Sequence, residues 1–193
     1  MEVDEPRLTN EAIAALSRRI DRPIALVGMM GVGKSSVGRK LAATLKLPFV
    51  DADEAIEQAA QMPIPEIFAK FGEAYFRDGE RRVIARLLEG QNPGRPSVIA
   101  TGGGAFVNDQ TRRLILDKAI AVWLDCDVET LYERVGRKGN RPLLQQGDPR
   151  EILTRLKEER APFYAEAPVK VMSGNGPHGR TVAQVLKGID EWL

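Results

Sequence analysis

Three groups of residues in this chain have types and spacings that could do chemistry. The first is "GMMGVGKSS", in which Gly28 is followed after four residues by Gly33-Lys34-Ser35. Glycines at this spacing let backbone N–H groups turn inward around phosphate oxygens, and a helix opening at the same point adds partial positive charge. Gly31, Val32, Gly33, Lys34, Ser35 and Ser36 would cradle the phosphates, with Lys34 reaching the terminal ones and the Ser35 hydroxyl ligating Mg²⁺. The second group is "LPFVDADEAIE", where a strand-like run ends in Asp51 and Asp53. At i and i+2 on a strand these carboxylates would point the same way. Helix capping is the bland reading: Asp51 with Glu54 as a capping box, or Asp53 before a helix starting at Ala55. The third group is dispersed: Arg77 in "FGEAYFRDGERR", Gly102-Gly103-Gly104 after a strand-like run, and Arg160 in "ERAPFY".

The carboxylates matter because of what is missing. A second apolar strand of a nucleotide-binding sheet commonly ends in a metal-side acid. Here "SVIAT" ends in Thr101 and then the three glycines. Asp51 and Asp53 are the best-placed substitutes, with Asp125 and Asp127 as weaker candidates. The strings DxxG and NKxD of GTP switches are absent. Spacing alone leaves Arg77 open to a surface pair with Glu73, and Arg160 to complementing a helix end ahead of Pro162.

These residues must be positioned by regular elements. Apolar, β-branched runs at 24–28, 48–51, 97–101, 119–124 and 169–172 predict five strands. Helical spacings lie between them at 34–45, 73–88, 109–116, 128–135 and 149–159. Alternation of this kind, with strands apolar on both faces, predicts an α/β fold. Its expected form is a doubly wound, five-stranded parallel sheet with helices on both faces and ligands beyond the strands' carboxyl ends. Residues 1–21 read as an N-terminal helical extension and residues 22–193 as one domain. The Gly-, Pro- and Arg-rich stretch near 134–149 reads as a lid loop.

Bulk properties narrow the class. With 28 Lys+Arg against 27 Asp+Glu the net charge is +1, so no overall basic field points to nucleic acid or a membrane surface. One cysteine, Cys126, excludes an intramolecular disulfide and reads as structural. No apolar run approaches the roughly 20 residues of a spanning helix, and the N-terminus lacks signal-peptide character. The expectation is a cytoplasmic protein. His178, the sole histidine, reads as solvent-exposed or adenine-side.

Taken in order, "GMMGVGKSS", "FVDADEAIE", "IPEIF…FGEAYFR", "TGGGA", "RPLL" and "ERAPFY" resemble the shikimate kinases, small P-loop kinases of aromatic amino-acid and chorismate biosynthesis. The likeness runs from about Ile24 to the last helix. It implies a nucleoside monophosphate kinase-like architecture and transfer of the ATP γ-phosphate to the 3-hydroxyl of shikimate. It also implies Mg²⁺ beside Ser35 and Asp51, and a monomer acting on ATP and shikimate. Asp53 would hold the shikimate hydroxyls as candidate base. Arg77 and Arg160 would grip the carboxylate over Gly102, Gly103 and Gly104. Arg141 of the lid would swing onto the phosphates, and Arg134 with the loop 173–179 would meet adenine. Another small-metabolite kinase, such as a gluconate kinase, and a nucleotide-binding module without transfer are the alternatives.

Overall fold

The structure, a computed structural model, describes residues 8–90, 95–137 and 147–193. Arg141 and most of the expected lid lie outside the described residues. Five strands form one parallel sheet in the order β2-β3-β1-β4-β5. They are β1 (Ile24–Val27), β2 (Phe49–Asp51), β3 (Val98–Ala100), β4 (Ile120–Asp125) and β5 (Val169–Met172). Eight α-helices accompany them among the described residues: α1 (Asn10–Arg19), α2 (Lys34–Leu45), α3 (Ala52–Ala60), α4 (Ile64–Glu89), α5 (Asp109–Lys118), α6 (Val128–Gly136), α7 (Pro149–Tyr164) and α8 (His178–Trp192).

The order of the strands explains where a ligand can sit. From β1 the chain travels to the sheet edge at β2, returns through β3, and then continues on the other side of β1 through β4 and β5. Connections therefore leave β1 in opposite directions, which opens a crevice beyond its carboxyl end. Register is in phase across the centre, with Ile24 beside both Val98 and Ile120. Every residue of β1, β3 and β4 is buried, as expected for strands covered on both faces. Helix α2 packs on α8 and α1, while α4 packs on α5 and α6 on α7. Leu16 and Ile20 carry α1 into the main core.

A second, smaller apolar cluster holds α3 to α4 through Ile56, Ile67, Phe76 and Val83. Helix α4 is interrupted at Gly72, which has φ 81° and ψ 175°, so its second half starts just before Arg77. Two expectations from the sequence need correcting. The helix after β2 starts at Ala52 rather than Ala55, because Asp51 ends the strand and caps α3 directly. Asp51 and Asp53 therefore do not share a strand face. Helix α7 does not stop before Pro162 but runs to Tyr164, so Arg160 lies one turn inside the helix.

Candidate active site

A cleft of about 440 Å³ opens at the carboxyl end of the sheet, and most of the predicted residues line it. Gly31, Gly33, Lys34, Ser35 and Ser36 form one wall, Asp51 and Asp53 the second, and Thr101, Gly102 and Gly103 the floor. Arg134, Arg137 and His178 close the far side.

The phosphate loop is shaped by local sterics. Gly28 has φ 140°, and a Cβ there would run into the Leu124 carbonyl oxygen, so only glycine lets β1 turn this close to β4. Lys34 Nζ donates to the carbonyl oxygens of Gly28 at 2.7 Å and Met29 at 2.8 Å, folding its ammonium over the loop. Val32 offers the cleft only its backbone, since its side chain is fully buried in the core. Its carbonyl accepts from Arg134 Nη1 at 2.8 Å and Ser173 Oγ at 3.1 Å. Arg134 also donates to the Gly174 carbonyl at 2.7 Å, which ties α6, the phosphate loop and the loop before α8 together.

Asp51 does two jobs at once. Its Oδ1 accepts from the Asp53 N–H at 3.0 Å and the Glu54 N–H at 3.5 Å, capping α3. Its Oδ2 accepts from Ser35 Oγ at 2.6 Å. Capping and a metal-side position are thus compatible rather than rival readings. The reciprocal half of the capping box does not form, since Glu54 pairs with Arg39 at 3.2 Å. Thr101, at the end of β3 where an acid is commonly found, gives its hydroxyl to the Leu26 carbonyl at 2.8 Å. The weaker candidates are occupied elsewhere. Asp125 pairs with Lys157 at 3.2 Å and Lys170 at 3.5 Å, and Asp127 caps α6 through Thr130.

Three helices, α3, α4 and α7, bring side chains onto the glycine floor, although Arg77, Gly104 and Arg160 do not line the cleft itself. Asp53, in the first turn of α3, comes close enough to Gly102 that a Cβ there would stand 2.9 Å from its Oδ1. At Gly104 a Cβ would meet the Arg77 guanidinium, with Cζ at 2.8 Å. Arg160 Nη1 donates to the Gly103 carbonyl at 3.3 Å. Bare backbone at Gly102 to Gly104 thus lies in close approach to the ends of the Asp53, Arg77 and Arg160 side chains, where the sequence leaves a plain turn as an equal reading.

Sequence reasoning missed Glu80. Arg77 does approach Glu73, but only at 3.7 Å; its strong partner is Glu80, at 2.6 Å, where the carboxylate is 1% exposed. Burial pushes the Glu80 carboxyl above the usual carboxylate value, against the pull of Arg77, and Asp53 adds a smaller push upward. The signal was present: Phe76, Glu80, Val83 and Ile84 fall on one buried helical stripe, where a charge needs a reason. Cys126 is buried, its thiol pushed up to about 11 chiefly by desolvation. No group of three or more His, Cys, Asp or Glu side chains suited to a metal occurs among the described residues. None of the described helices is long and apolar enough to cross a membrane.

Comparison with known proteins gives a consistent picture. A sequence model of the shikimate kinase family matches residues 30–190. A shikimate kinase of Novosphingobium aromaticivorans is 64% identical over 194 residues, covering the full length of both chains. One from Caulobacter vibrioides is 58% identical, covering 87% of this chain and 82% of the relative. Among solved structures, the Acinetobacter baumannii shikimate kinase in complex with shikimate superposes with a TM-score of 0.79 at 35% identity. That match covers 95% of this chain and 98% of the other.

Proposed function

The chain belongs to the shikimate kinase family and transfers the ATP γ-phosphate to the 3-hydroxyl of shikimate, and we propose that its cleft divides this work between two sides of the transferred phosphate. On the nucleotide side, the loop amides of Gly31 and Gly33, the α2 N-terminus and Lys34 hold the phosphates. Lys34 exchanges its bonds to the Gly28 and Met29 carbonyls for phosphate oxygens. Arg134, fixed on the Val32 and Gly174 carbonyls, borders the base beside the loop that leads to His178.

Ser35 and Asp51 fit a hard divalent cation: they offer a hydroxyl and a carboxylate oxygen already 2.6 Å apart, leaving the remaining coordination to phosphate and water. Bound there with ATP, Mg²⁺ supplies neutralisation of the charge that spreads over the transferred group. The Thr101 hydroxyl stays committed to the sheet.

On the acceptor side, Arg77 and Arg160 match the shikimate carboxylate as planar forks. Glu80 holds Arg77 in place from beneath, and the bare backbone of Gly102 to Gly104 lets the ring approach. Asp53 accepts hydrogen bonds from the substrate hydroxyls, orients the one that attacks and takes up its proton as base. Arg141 supplies further positive charge to the phosphates, as the resemblance implies. The enzyme is a cytoplasmic monomer that needs no partner beyond its two substrates.

The observation that carries this division is the placement of Asp51 on Ser35 and of Asp53 against Gly102 across one cleft. Its test is Arg77→Ala in a coupled ADP-release assay with shikimate, gluconate or no acceptor. The KM for shikimate should rise about a hundredfold, the loss of a charge-assisted contact of ~3 kcal/mol, and that for ATP less than about threefold. Equal rises would leave Arg77 as a structural partner of Glu80 with no contact to the acceptor.

A further inference from the structure

Because α7 continues through Pro162, Arg160 and Tyr164 stand one helical turn apart on the same face. Both aim at a single acceptor. Tyr164 Oη donates to the Gly103 carbonyl, and Arg160 Nη1 reaches the same oxygen at 3.3 Å. Tyr164 is 1% exposed, with its ring between Phe106 at 6.5 Å and Trp123 at 5.9 Å. Those neighbours would hold a phenylalanine equally well, so the hydroxyl needs a separate reason. Burial raises its pKa, which keeps it protonated and able to donate.

We propose that Tyr164 is a positioning residue for the acceptor pocket, its hydroxyl pinning the Gly103 carbonyl so that Arg160 is left available for the substrate carboxylate. The inference rests on the acceptor-side reading given above. A trans peptide carries its N–H opposite its carbonyl, so holding the Gly103 oxygen on α7 also turns the Gly104 N–H away from that helix. Gly104 is the residue against which the Arg77 guanidinium lies. One hydroxyl thus sets the orientation of the floor that both arginines border. Without it the Gly103 oxygen keeps one donor, Arg160, so no buried acceptor is orphaned and the fold loses little. What is lost is the division of labour: Arg160 becomes the sole partner of the floor and competes with itself for the substrate.

Tyr164→Phe tests this, with Arg160→Ala assayed beside it. The expected result is a rise of about tenfold in the KM for shikimate, the size of one hydrogen bond, with the KM for ATP unchanged. The melting temperature should drop by no more than about 4 °C. Titration calorimetry with shikimate alone should show the same weakening without turnover. If Arg160→Ala leaves the KM for shikimate unchanged, the acceptor-side reading itself fails. If Arg160→Ala raises it while Tyr164→Phe changes it less than about threefold, the positioning role alone is overturned. A parallel rise in the KM for ATP, or a melting temperature lowered by more than about 10 °C, assigns Tyr164 to scaffolding and also overturns it.

Discussion

Replacing Glu80 with glutamine separates the function of the Arg77–Glu80 pair from its effect on stability. The substitution keeps the shape and an oxygen acceptor for Arg77 but removes the charge. Glu80 is 1% exposed and the Arg77 side chain 23%, so the carboxylate bears most of the desolvation while the guanidinium keeps contact with solvent. Since the Glu80 carboxyl lies above its ordinary value of 4.5, burial outweighs the attraction of Arg77 for the ionised form. The folded protein therefore binds this proton more tightly than the unfolded chain does. Stability from this group is fully present below the unfolded value and is lost as pH rises through the higher folded one.

Glutamine abolishes that loss, so the variant should gain on the wild type in melting temperature as pH climbs from 4.5 toward neutrality. At neutral pH it should stay within about 4 °C of the wild type. The functional effect runs the other way. An ion pair near the top of the range of about 1.5–3 kcal/mol becomes a hydrogen bond with one charged partner near its bottom, a difference of roughly 1–1.5 kcal/mol in holding Arg77. The KM for shikimate should rise about tenfold. Its other partner, Glu73, is too distant at 3.7 Å and too exposed to compensate. Steady-state kinetics with each substrate varied in turn, and melting curves across pH, read both effects. An unchanged KM for shikimate refutes the positioning of Arg77 by Glu80. A variant that falls further behind the wild type as pH rises refutes the sign of the linkage.

Other perturbations probe neighbouring parts of the site. Asp51→Asn should raise the Mg²⁺ concentration for half-maximal rate about tenfold or more, and Asp53→Asn should lower kcat with a smaller change in that requirement; the opposite order in a magnesium titration would exchange their roles. Gly104→Ala, which sets a methyl group against the Arg77 guanidinium, should weaken shikimate at least about tenfold, with ATP binding by fluorescence titration intact. The Cys126 thiol, buried and titrating at about 11, should resist alkylation at pH 8 until denaturant unfolds the chain. Rapid labelling of the native enzyme would contradict that burial.

Much of this molecule is local in origin, and the local parts are legible in the letters. The phosphate loop is a contiguous strand, glycine turn and helix start, so nine residues are enough to specify its chemistry. Strand count and the parallel sheet follow from five apolar runs alternating with helical ones, which the structure reproduces within a residue or two at most boundaries. The missing acid after β3 points from sequence alone only to the pair Asp51 and Asp53; the family resemblance singles out Asp51, which the structure places on Ser35.

The acceptor pocket proposed above was legible only through the ordered set of motifs of a known family. Its residues come from α3, α4, the β3 loop and α7, which spacing cannot bring together. Spacing favoured Glu73 as the partner of Arg77, because i and i+4 is the ordinary surface pair. Tertiary packing chose Glu80 instead, by burying that face of α4 beneath the glycine floor. It also carried α7 past a proline that sequence rules take as a stop. The convergence of Arg160 and Tyr164 on one carbonyl oxygen follows from that extra turn. Backbone hydrogen bonding and apolar periodicity act over a few residues, so sequence determines them directly. Which buried charge or hydroxyl meets which distant carbonyl depends on how whole elements pack, and only the folded chain decides it.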